Sequence, residues 1–507
     1  MSTYRGGRRA SRPGRRPGWF LAGGLVAGSL VAGAAGLTGA AAMAADRGLS
    51  FANLGVPTRA VSKDDGGRWE RPDAGREQGR EHDKPAWPGG RHDDRKPIVV
   101  PCEAPKLIAA MVRANAEGGA VLQLAPKCTY TLEQAFVQKD DWDGGVRDAR
   151  EANDAAEQPG DAEAPPRNPR DDATGLPIVY QPITIRGAGA TIARGGNAEA
   201  FRFFTVRDGG ELFLNDVTLR NGKSTGEGGA VHVVHGATAV LNGVTVVGCT
   251  SLSADNGGGG VFNDGNMVVD GSTFIGNRAA GAAGKGGGLL NGGVLTLRKS
   301  HFRENSAVGY GGGLGNYRAA ADVDGATFVH NNAAQGGGIA SFSARTKIAD
   351  TAVIGNTAQN GGGIANSDAV IVLRGMKIRD NTATVNGGGI SSVQGLLPID
   401  DSVVAGNTAR GHGGGIYAEK SNLLVRTTDV NRNHAVGNLS KAGGIYVTLG
   451  KLSIFKSSIF ENTAAVLKPG GVFAARAGVR VDDETDIVAN TPTNCEGSAV
   501  PIPHCFR

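Results

Sequence analysis

Carboxylate and guanidinium side chains alternate along the second half of the chain. They recur about every 26 residues, or at about twice that interval: Asp270, Arg298, Asp324, Arg374, Asp400 and Arg426. If each interval is one turn of a coiled chain, opposite charges lie one turn apart. Such groups can hold a cation and move protons, or form exposed ion pairs worth about 0–1 kcal/mol each. The alternation favours ion pairs, because an active site usually breaks a repeat.

Other arrangements that could do chemistry are weaker. The adjacent carboxylates Asp400–Asp401 and Asp482–Asp483 could serve glycoside hydrolysis, but neighbouring residues of a strand point to opposite faces. The histidines are scattered, and no Cys/His cluster or nucleophile motif stands out. We therefore predict no catalytic residue, no metal and no cofactor.

Asparagine recurs more strictly than any charged residue. A large apolar residue stands three positions before each member of one series, and the intervals are 25 to 29 residues: Asn277, Asn305, Asn331, Asn356, Asn381, Asn407, Asn433, Asn462 and Asn490. Cys249 occupies the same place one interval before Asn277, which predicts a buried free thiol. An inward-facing amide needs partners, and the next asparagine can supply one. We therefore predict a ladder of stacked amides.

The apolar residues between these asparagines alternate with a spacing of two, which indicates short strands, three to a unit. Heptads and the leucine-rich pattern are absent. The predicted fold class is all-β, a single-stranded right-handed parallel β-helix with an N-terminal amphipathic capping helix. Asparagine tolerates the left-handed conformation that one corner demands. The glycine runs serve another corner, where φ is positive.

The remaining chain is less regular. Arginines, a Gly/Ala-rich stretch and Ala42-Met43-Ala44 resemble an export signal, and Arg15-Arg16 suggests the twin-arginine type. The predicted segments are a signal peptide 1–44, a disordered linker 45–97, an N-terminal cap 98–137, a disordered polar insertion 138–175, β-helix repeats 176–490 and a C-terminal cap 491–507.

Charge and cysteines fit an exported protein. The signal holds six arginines, so its removal takes the formal charge from +5 to about −1, which gives no reason to bind nucleic acid. The remaining cysteines predict two local disulfides, Cys102–Cys128 and Cys495–Cys505. On the capping helix over 104–116, one apolar face is predicted: Leu107, Ile108, Met111 and Val112.

The motifs resemble a known group of proteins. FIGN (274–277), FREN (302–305) and FVHN (328–331) alternate with GGGL and GGGI. They resemble the repeats of polymorphic outer-membrane proteins and, more broadly, pectate-lyase-like β-helix proteins. This resemblance implies the fold, whereas its members include adhesins and polysaccharide-active enzymes. Lyases with this fold hold Ca²⁺ on acidic residues beside an arginine base. Some relatives end in a membrane barrel, which we do not expect before Arg507.

One column of surface positions contains aromatic rings that could contact a glycan. The column includes eight residues: Phe262, Gly315, Ala340, Ala365, Ser391, Tyr417, Tyr446 and Phe473. The four residues in its middle, from Gly315 to Ser391, have small side chains, which favours ordinary surface variation. We predict a secreted or cell-surface protein with a non-catalytic binding, adhesion or structural role. Its partner would be an extracellular polysaccharide or a surface protein, without membrane contact after signal cleavage. The alternative is a polysaccharide lyase or glycoside hydrolase on the same scaffold.

Overall fold

The computed structural model describes residues 95–136, 173–207 and 209–506. The predicted signal peptide lies outside these residues, as do most of the predicted linker and insertion. The described chain winds through about 13 turns in which every strand pairs in parallel with its equivalent one turn away. It is a right-handed parallel β-helix, as the spacing predicts.

Each regular turn contains four strands, one more than predicted. The first strands follow the glycine corner and form an 11-stranded sheet: Phe204–Val206, Val231–Val233, Val261–Asn263, Leu289–Asn291, Leu314–Tyr317, Ile339–Phe342, Ile364–Ser367, Ile390–Val393, Ile416–Glu419, Ile445–Thr448 and Val472–Ala475.

The second and third strands belong to one 25-stranded sheet. The second strands are Thr238–Asn242, Asn266–Asp270, Val294–Arg298, Ala320–Asp324, Arg345–Ala349, Val370–Arg374, Leu396–Asp400, Asn422–Arg426, Lys451–Phe455 and Gly478–Val481. The third strands are Thr245–Val247, Thr273–Ile275, His301–Arg303, Thr327–Val329, Ala352–Ile354, Lys377–Arg379, Val403–Ala405, Asp429–Asn431, Ser458–Phe460 and Asp486–Val488.

The same sheet begins with longer or irregular strands near the N-terminal end: Ile98–Val100, Ala120–Leu124, Thr129–Leu132, Pro182–Arg194 and Glu211–Arg220. The fourth strands have only two residues and follow the asparagine corner. They form a four-stranded and a five-stranded sheet: Lys223–Ser224, Thr250–Ser251, Arg278–Ala279, Ser306–Ala307, Thr357–Ala358, Thr382–Ala383, Thr408–Ala409, His434–Ala435 and Thr463–Ala464.

The nine recurrent asparagines are buried and hydrogen-bonded to one another. Asn331 shows the pattern, because its Oδ1 accepts from both the backbone N–H and the side-chain Nδ2 of Asn305, each at 3.0 Å. Its Nδ2 donates to the carbonyl of Phe302 and to Oδ1 of Asn356, also at 3.0 Å. Each side chain thus satisfies its own polar atoms and a backbone N–H of the previous turn.

Contrary to the prediction from the sequence, the left-handed residue of this corner is not the asparagine. The positive φ belongs to the residue before the asparagine, for example Glu304 (57°), His330 (54°) and Asp380 (56°). None of the nine ladder asparagines has a positive φ. The left-handed residue turns the chain so that the asparagine side chain enters the core.

The glycine corner has the backbone that the sequence predicts. Gly361, first of its run, has φ of 62°, a conformation that costs glycine little. A Cβ on Gly362 would collide with the carbonyl oxygen of Gly388 in the next turn. The corner therefore needs glycine for both conformation and close stacking.

Identical apolar residues pack on each other inside the coil. Phe274, Phe302 and Phe328 stack with ring centroids 4.4 and 4.8 Å apart, and the planes differ by 2° and 12°. The column continues through Val353 and Ile378, which are also fully buried. Offset ring stacking adds to the burial of apolar area.

Both ends of the coil are covered. The α-helix Ala104–Ala116 buries Leu107, Met111 and Ala114, which recur at helical spacing. Val112 was predicted to lie on the same apolar face, but it is 46% exposed. It follows Met111 directly and is therefore rotated about 100° away from that face around the helix axis. The two predicted disulfides, Cys102–Cys128 and Cys495–Cys505, are both present.

The C-terminal cap also ends the ladder. Asn494 Oδ1 accepts from the N–H and Nδ2 of Asn490 at 3.0 and 3.1 Å. Nδ2 of Asn494 donates to the carbonyl of Phe506 at 2.8 Å. The last amide of the stack is therefore not left unpaired.

Cys249 begins the ladder as a buried free thiol. Its backbone N–H donates to Asn277 Oδ1 at 2.9 Å, and burial raises the pKa of its thiol from 9.0 to about 12. The thiol therefore ionises more readily in the unfolded chain than in the folded one.

This difference predicts a pH-dependent stability. Above pH 9.0 the folded state holds the Cys249 proton more tightly. The free energy of unfolding then falls by about 1.4 kcal/mol per pH unit until the thiol of the folded state ionises. Cys249→Ala lacks this contribution. In urea denaturation one pH unit above 9.0, the difference in the free energy of unfolding between wild type and variant should therefore be smaller than at neutral pH by about that amount. An equal difference at both pH values would contradict the raised pKa of Cys249.

Candidate functional site

The predicted charge column lies on the outer face of the second strands. In the pairing register Asp270 lies opposite Arg298, and Arg298 lies opposite Asp324. Further along, Asp400 lies between its register partners Arg374 and Arg426. The structure thus brings the six charged residues into one column, with Ala349 interrupting it.

One pair in this column is tightly bonded. Arg426 Nε and Nη2 donate to the two carboxylate oxygens of Asp400 at 2.5 and 2.7 Å. The hydrogen bond to Asp400 raises the pKa of the Arg426 guanidinium. Arg374 instead approaches Asp401, with Nε 3.6 Å from Oδ2. A carboxylate that accepts two bonds from one guanidinium is poorly placed to act as a base or to bind a cation.

The adjacent carboxylates do not form a pair of catalytic acids. Asp401 occupies a left-handed turn after the strand that ends with Asp400. Asp482 accepts from the backbone N–H of Lys456 at 3.1 Å and from the hydroxyl of Thr485. Among the described residues, no three His, Cys, Asp or Glu side chains converge to hold a metal ion.

The aromatic column forms a stack near the C-terminal end of the 11-stranded sheet. Tyr446 lies between Tyr417 and Phe473, with centroids 5.4 and 4.8 Å away. His412 also stacks on Tyr446 at 4.4 Å, and Lys441 Nζ lies 4.5 Å from the ring centre of Phe473. The ring faces are occupied by neighbours, so this column presents mainly edges.

Hydrogen bonding also fixes the stack. The Tyr417 hydroxyl donates to Glu419 Oε2 at 2.8 Å. Burial, and then this bond, raise the pKa of Tyr417 well above its usual value. Burial, followed by the charge of Lys441, lowers the pKa of His412. Its Nδ1 accepts from the Lys441 backbone N–H at 3.1 Å, a bond that the neutral ring can make and the protonated ring cannot.

A groove suited to an extended ligand lies at a different place, which the sequence-based predictions do not include. We call it the corner groove. It measures about 680 Å³ and runs across five turns at the corner between first and second strands: residues 292–294, 318–320, 343–345, 368–370 and 394–396. With turns about 4.8 Å apart, the groove is roughly 19 Å long.

Small residues floor the corner groove and varied polar residues line it. Ala319, Ala344 and Ala369 repeat along it, whereas left-handed turn positions supply Arg318, Ser343, Asp368 and Gln394. Ser343 Oγ donates to Asp368 Oδ2 at 3.2 Å. These turn residues interrupt an otherwise regular repeat, which is the signal by which the sequence could have revealed them.

An aromatic cluster flanks the second and third of the five turns of the corner groove, on the side of the first strands. Tyr317 immediately precedes Arg318 and stacks on Phe342 at 5.3 Å. Lys285 Nζ lies 5.0 Å from the ring centre of Tyr317, and the Arg318 guanidinium lies 5.3 Å from it. This flank of the groove therefore combines two cations with apolar rings.

Comparisons with known proteins give limited information. No protein-family model matches the sequence. No curated protein matches it either. The A-module of mannuronan C-5 epimerase AlgE4 from Azotobacter vinelandii is 11% identical, covers 77% of this chain and 94% of its own, and has a TM-score of 0.30. The AlgE6 A-module from the same organism is 13% identical, with coverages of 78% and 95% and a TM-score of 0.24. At these values the similarities say nothing about activity, and the fold stands on the strand pairing of the chain itself.

The contacts of the charge column lead to a prediction about stability. Asp400→Asn removes the charge that holds Arg426, and side-chain exposures of 14% and 32% leave the pair partly screened. We expect the free energy of unfolding to fall by about 1–2 kcal/mol. Asp324→Asn, in the same column, is the matched control and should change it by less than about 0.5 kcal/mol. Equal losses in urea denaturation would show that the bidentate pair has no special role.

Proposed function

We propose that the chain is an exported, non-catalytic β-helix protein whose corner groove binds an extended glycan. The observation that carries this proposal is a longitudinal groove whose polar side chains differ from turn to turn. A groove along the coil axis suits a linear polymer, and mixed donors and acceptors suit hydroxyl groups. The two disulfides support an oxidising, extracellular compartment.

The chemistry of the described residues supports binding rather than catalysis. Asp400, the best-placed carboxylate of the charge column, is bonded on both oxygens to Arg426. Asp368 is the acid in the corner groove, and the other charged residues of the lining are Arg318 and Arg345. Glycoside hydrolysis calls for two carboxyl groups that flank one bond, and this groove offers one.

Glycine substitutions at left-handed positions give a clean test of the groove. Arg318→Gly with Asp368→Gly removes two lining side chains, and glycine adopts both φ values without strain. Lys299→Gly with Asp350→Gly is the matched control, because it removes the same charges from left-handed turns outside the groove. On a glycan array we expect the groove variant to lose at least about tenfold in affinity, and the control to keep its affinity within about twofold.

The same array tests the alternative. Each bound glycan is incubated with the protein in the presence of Ca²⁺, and the products are examined for unsaturated or shortened chains. Intact glycan supports the proposal, whereas cleavage would establish the lyase or hydrolase alternative. Failure to bind any glycan, or equal binding by both variants, would refute the groove as the site.

A further inference from the structure

The turns differ in length almost entirely at one corner. From the first glycine of a run to the next ladder asparagine, the distance is 20 residues in most turns, as from Gly336 to Asn356 and from Gly413 to Asn433. The segment from that asparagine to the next glycine corner varies from four to eight residues. Insertions in repeat proteins map to one face, which is often the binding face.

We name this corner the basic ridge. It consists of eight segments stacked in turn order: 278–285, 306–310, 332–335, 357–360, 382–386, 408–412, 434–441 and 463–469. It precedes the first strands, whereas the corner groove follows them. With turns about 4.8 Å apart, seven steps make the ridge roughly 34 Å long.

The basic ridge carries positive charge and no acid of its own. The chain has 48 Asp and Glu residues, but none falls in the eight segments, whereas five cations do: Arg278, Lys285, Arg410, Lys441 and Lys468. At its two ends Asp255 acts on Lys285, and Glu496 lies 3.3 Å from Lys468. Three exposed acids also flank the ridge, each two residues before one of its segments: Glu304, Asp380 and Glu461. Arg278 is exposed in the first segment, and Arg410 is exposed between the two ends.

Aliphatic side chains stand exposed among these cations. Five of the twelve exposed large apolar side chains in the described residues lie on the ridge: Val308 (45%), Val385 (44%), Val436 (47%), Leu439 (78%) and Val466 (57%). Three of them occupy two neighbouring segments, 434–441 and 463–469. Exposed apolar groups that cluster, as these three do, can mark an interaction surface.

We propose that the basic ridge docks on an anionic lipid surface. Cations beside exposed aliphatic groups suit a bilayer, where the charges meet acidic headgroups and the apolar tips enter the interface. Five cations over roughly 34 Å are too sparse for duplex DNA, which carries one charge per about 1.7 Å. A purely polar acidic glycan would gain nothing from Val436, Leu439 or Val466.

The contact is peripheral, since the described part of the chain contains no α-helix with the length and apolar character of a membrane span. It departs from the expectation of no membrane contact after signal cleavage. It leaves the lining of the corner groove free. Lys285, which contacts the aromatic cluster beside that groove, is unchanged in the ridge variants, so a failure of lipid docking and a failure of glycan binding are separate outcomes.

Vesicle sedimentation tests the proposal. The probes are vesicles of phosphatidylcholine alone and of phosphatidylcholine with one quarter phosphatidylglycerol. Because the arginines of residues 1–44 would themselves bind anionic lipid, all variants carry the same N-terminus and are compared with one another. Circular dichroism shows that each variant is folded.

Two ridge variants separate charge from apolar contact. Arg278→Gln, Arg410→Gln and Lys441→Gln together should weaken binding to the anionic vesicles about a hundredfold, because each charge near the membrane contributes roughly fivefold. Lys347→Gln, Lys377→Gln and Arg379→Gln, exposed on the 25-stranded sheet, remove the same charge and should have a much smaller effect.

Leu439→Ser with Val466→Ser should also weaken vesicle binding about tenfold. The matched control, Val99→Ser with Val488→Ser, removes comparably exposed aliphatic groups elsewhere and should have little effect. The proposal would be overturned if the aliphatic substitutions left the affinity for anionic vesicles unchanged. It would also be overturned if the wild type bound both vesicle types with the same affinity. Equal ridge-dependent binding to dextran sulfate or duplex DNA would identify a soluble polyanion instead.

Discussion

The structure depends on buried amides that must be paired. A ladder asparagine places a carboxamide in an apolar interior, where an unpaired polar group costs about 1–3 kcal/mol. The equivalent amide one turn away satisfies it, and both partners also hold backbone groups. Each turn is thereby fixed in position along the coil, and a slip by one residue would leave several polar atoms unpaired at once. The cap continues this pairing through Asn494, which receives the last amide of the stack.

This constraint explains where the chain can vary. The asparagine corner, the glycine corner and the apolar columns must repeat because each stacks on a copy of itself. The left-handed turns between first and second strands and the segments after the asparagines face solvent. Their side chains are free to differ, as Arg318, Ser343 and Asp368 do. Both proposed binding surfaces lie in these variable parts, on either side of the 11-stranded sheet.

Much of the fold could be predicted from the sequence because stacking repeats the same residue types. The spacing of the nine asparagines predicts parallel turns, and the position of Cys249 in their column predicts its burial. The fourth strand was missed since two-residue strands such as Thr357–Ala358 leave too short a pattern. The left-handed residue was misplaced because Glu304, His330 and Asp380 share no side-chain property, although they share a backbone conformation.

The surfaces were harder to predict, for physical reasons. Sequence spacing placed Asp400 opposite Arg426 but could not show that Arg426 donates hydrogen bonds to both carboxylate oxygens of Asp400. Tyr417, Tyr446 and Phe473 could be assigned to one column, whereas the packing of their faces depends on rotamers. The corner groove is lined by small residues and by left-handed turn residues of different types, which no single residue type signals. The basic ridge could have been predicted, because the segment lengths and the absence of acids within the eight segments can be read directly from the sequence.

The most direct measurement compares two neighbouring asparagines, one buried in the ladder and one exposed at the surface. Asn331 makes four hydrogen bonds within the ladder, whereas Asn332 is exposed. Urea denaturation of Asn331→Ala should show a loss of at least about 3 kcal/mol in the free energy of unfolding, because several buried groups lose their partners. Asn332→Ala should lose less than about 0.5 kcal/mol. Similar losses for the two variants would contradict the account.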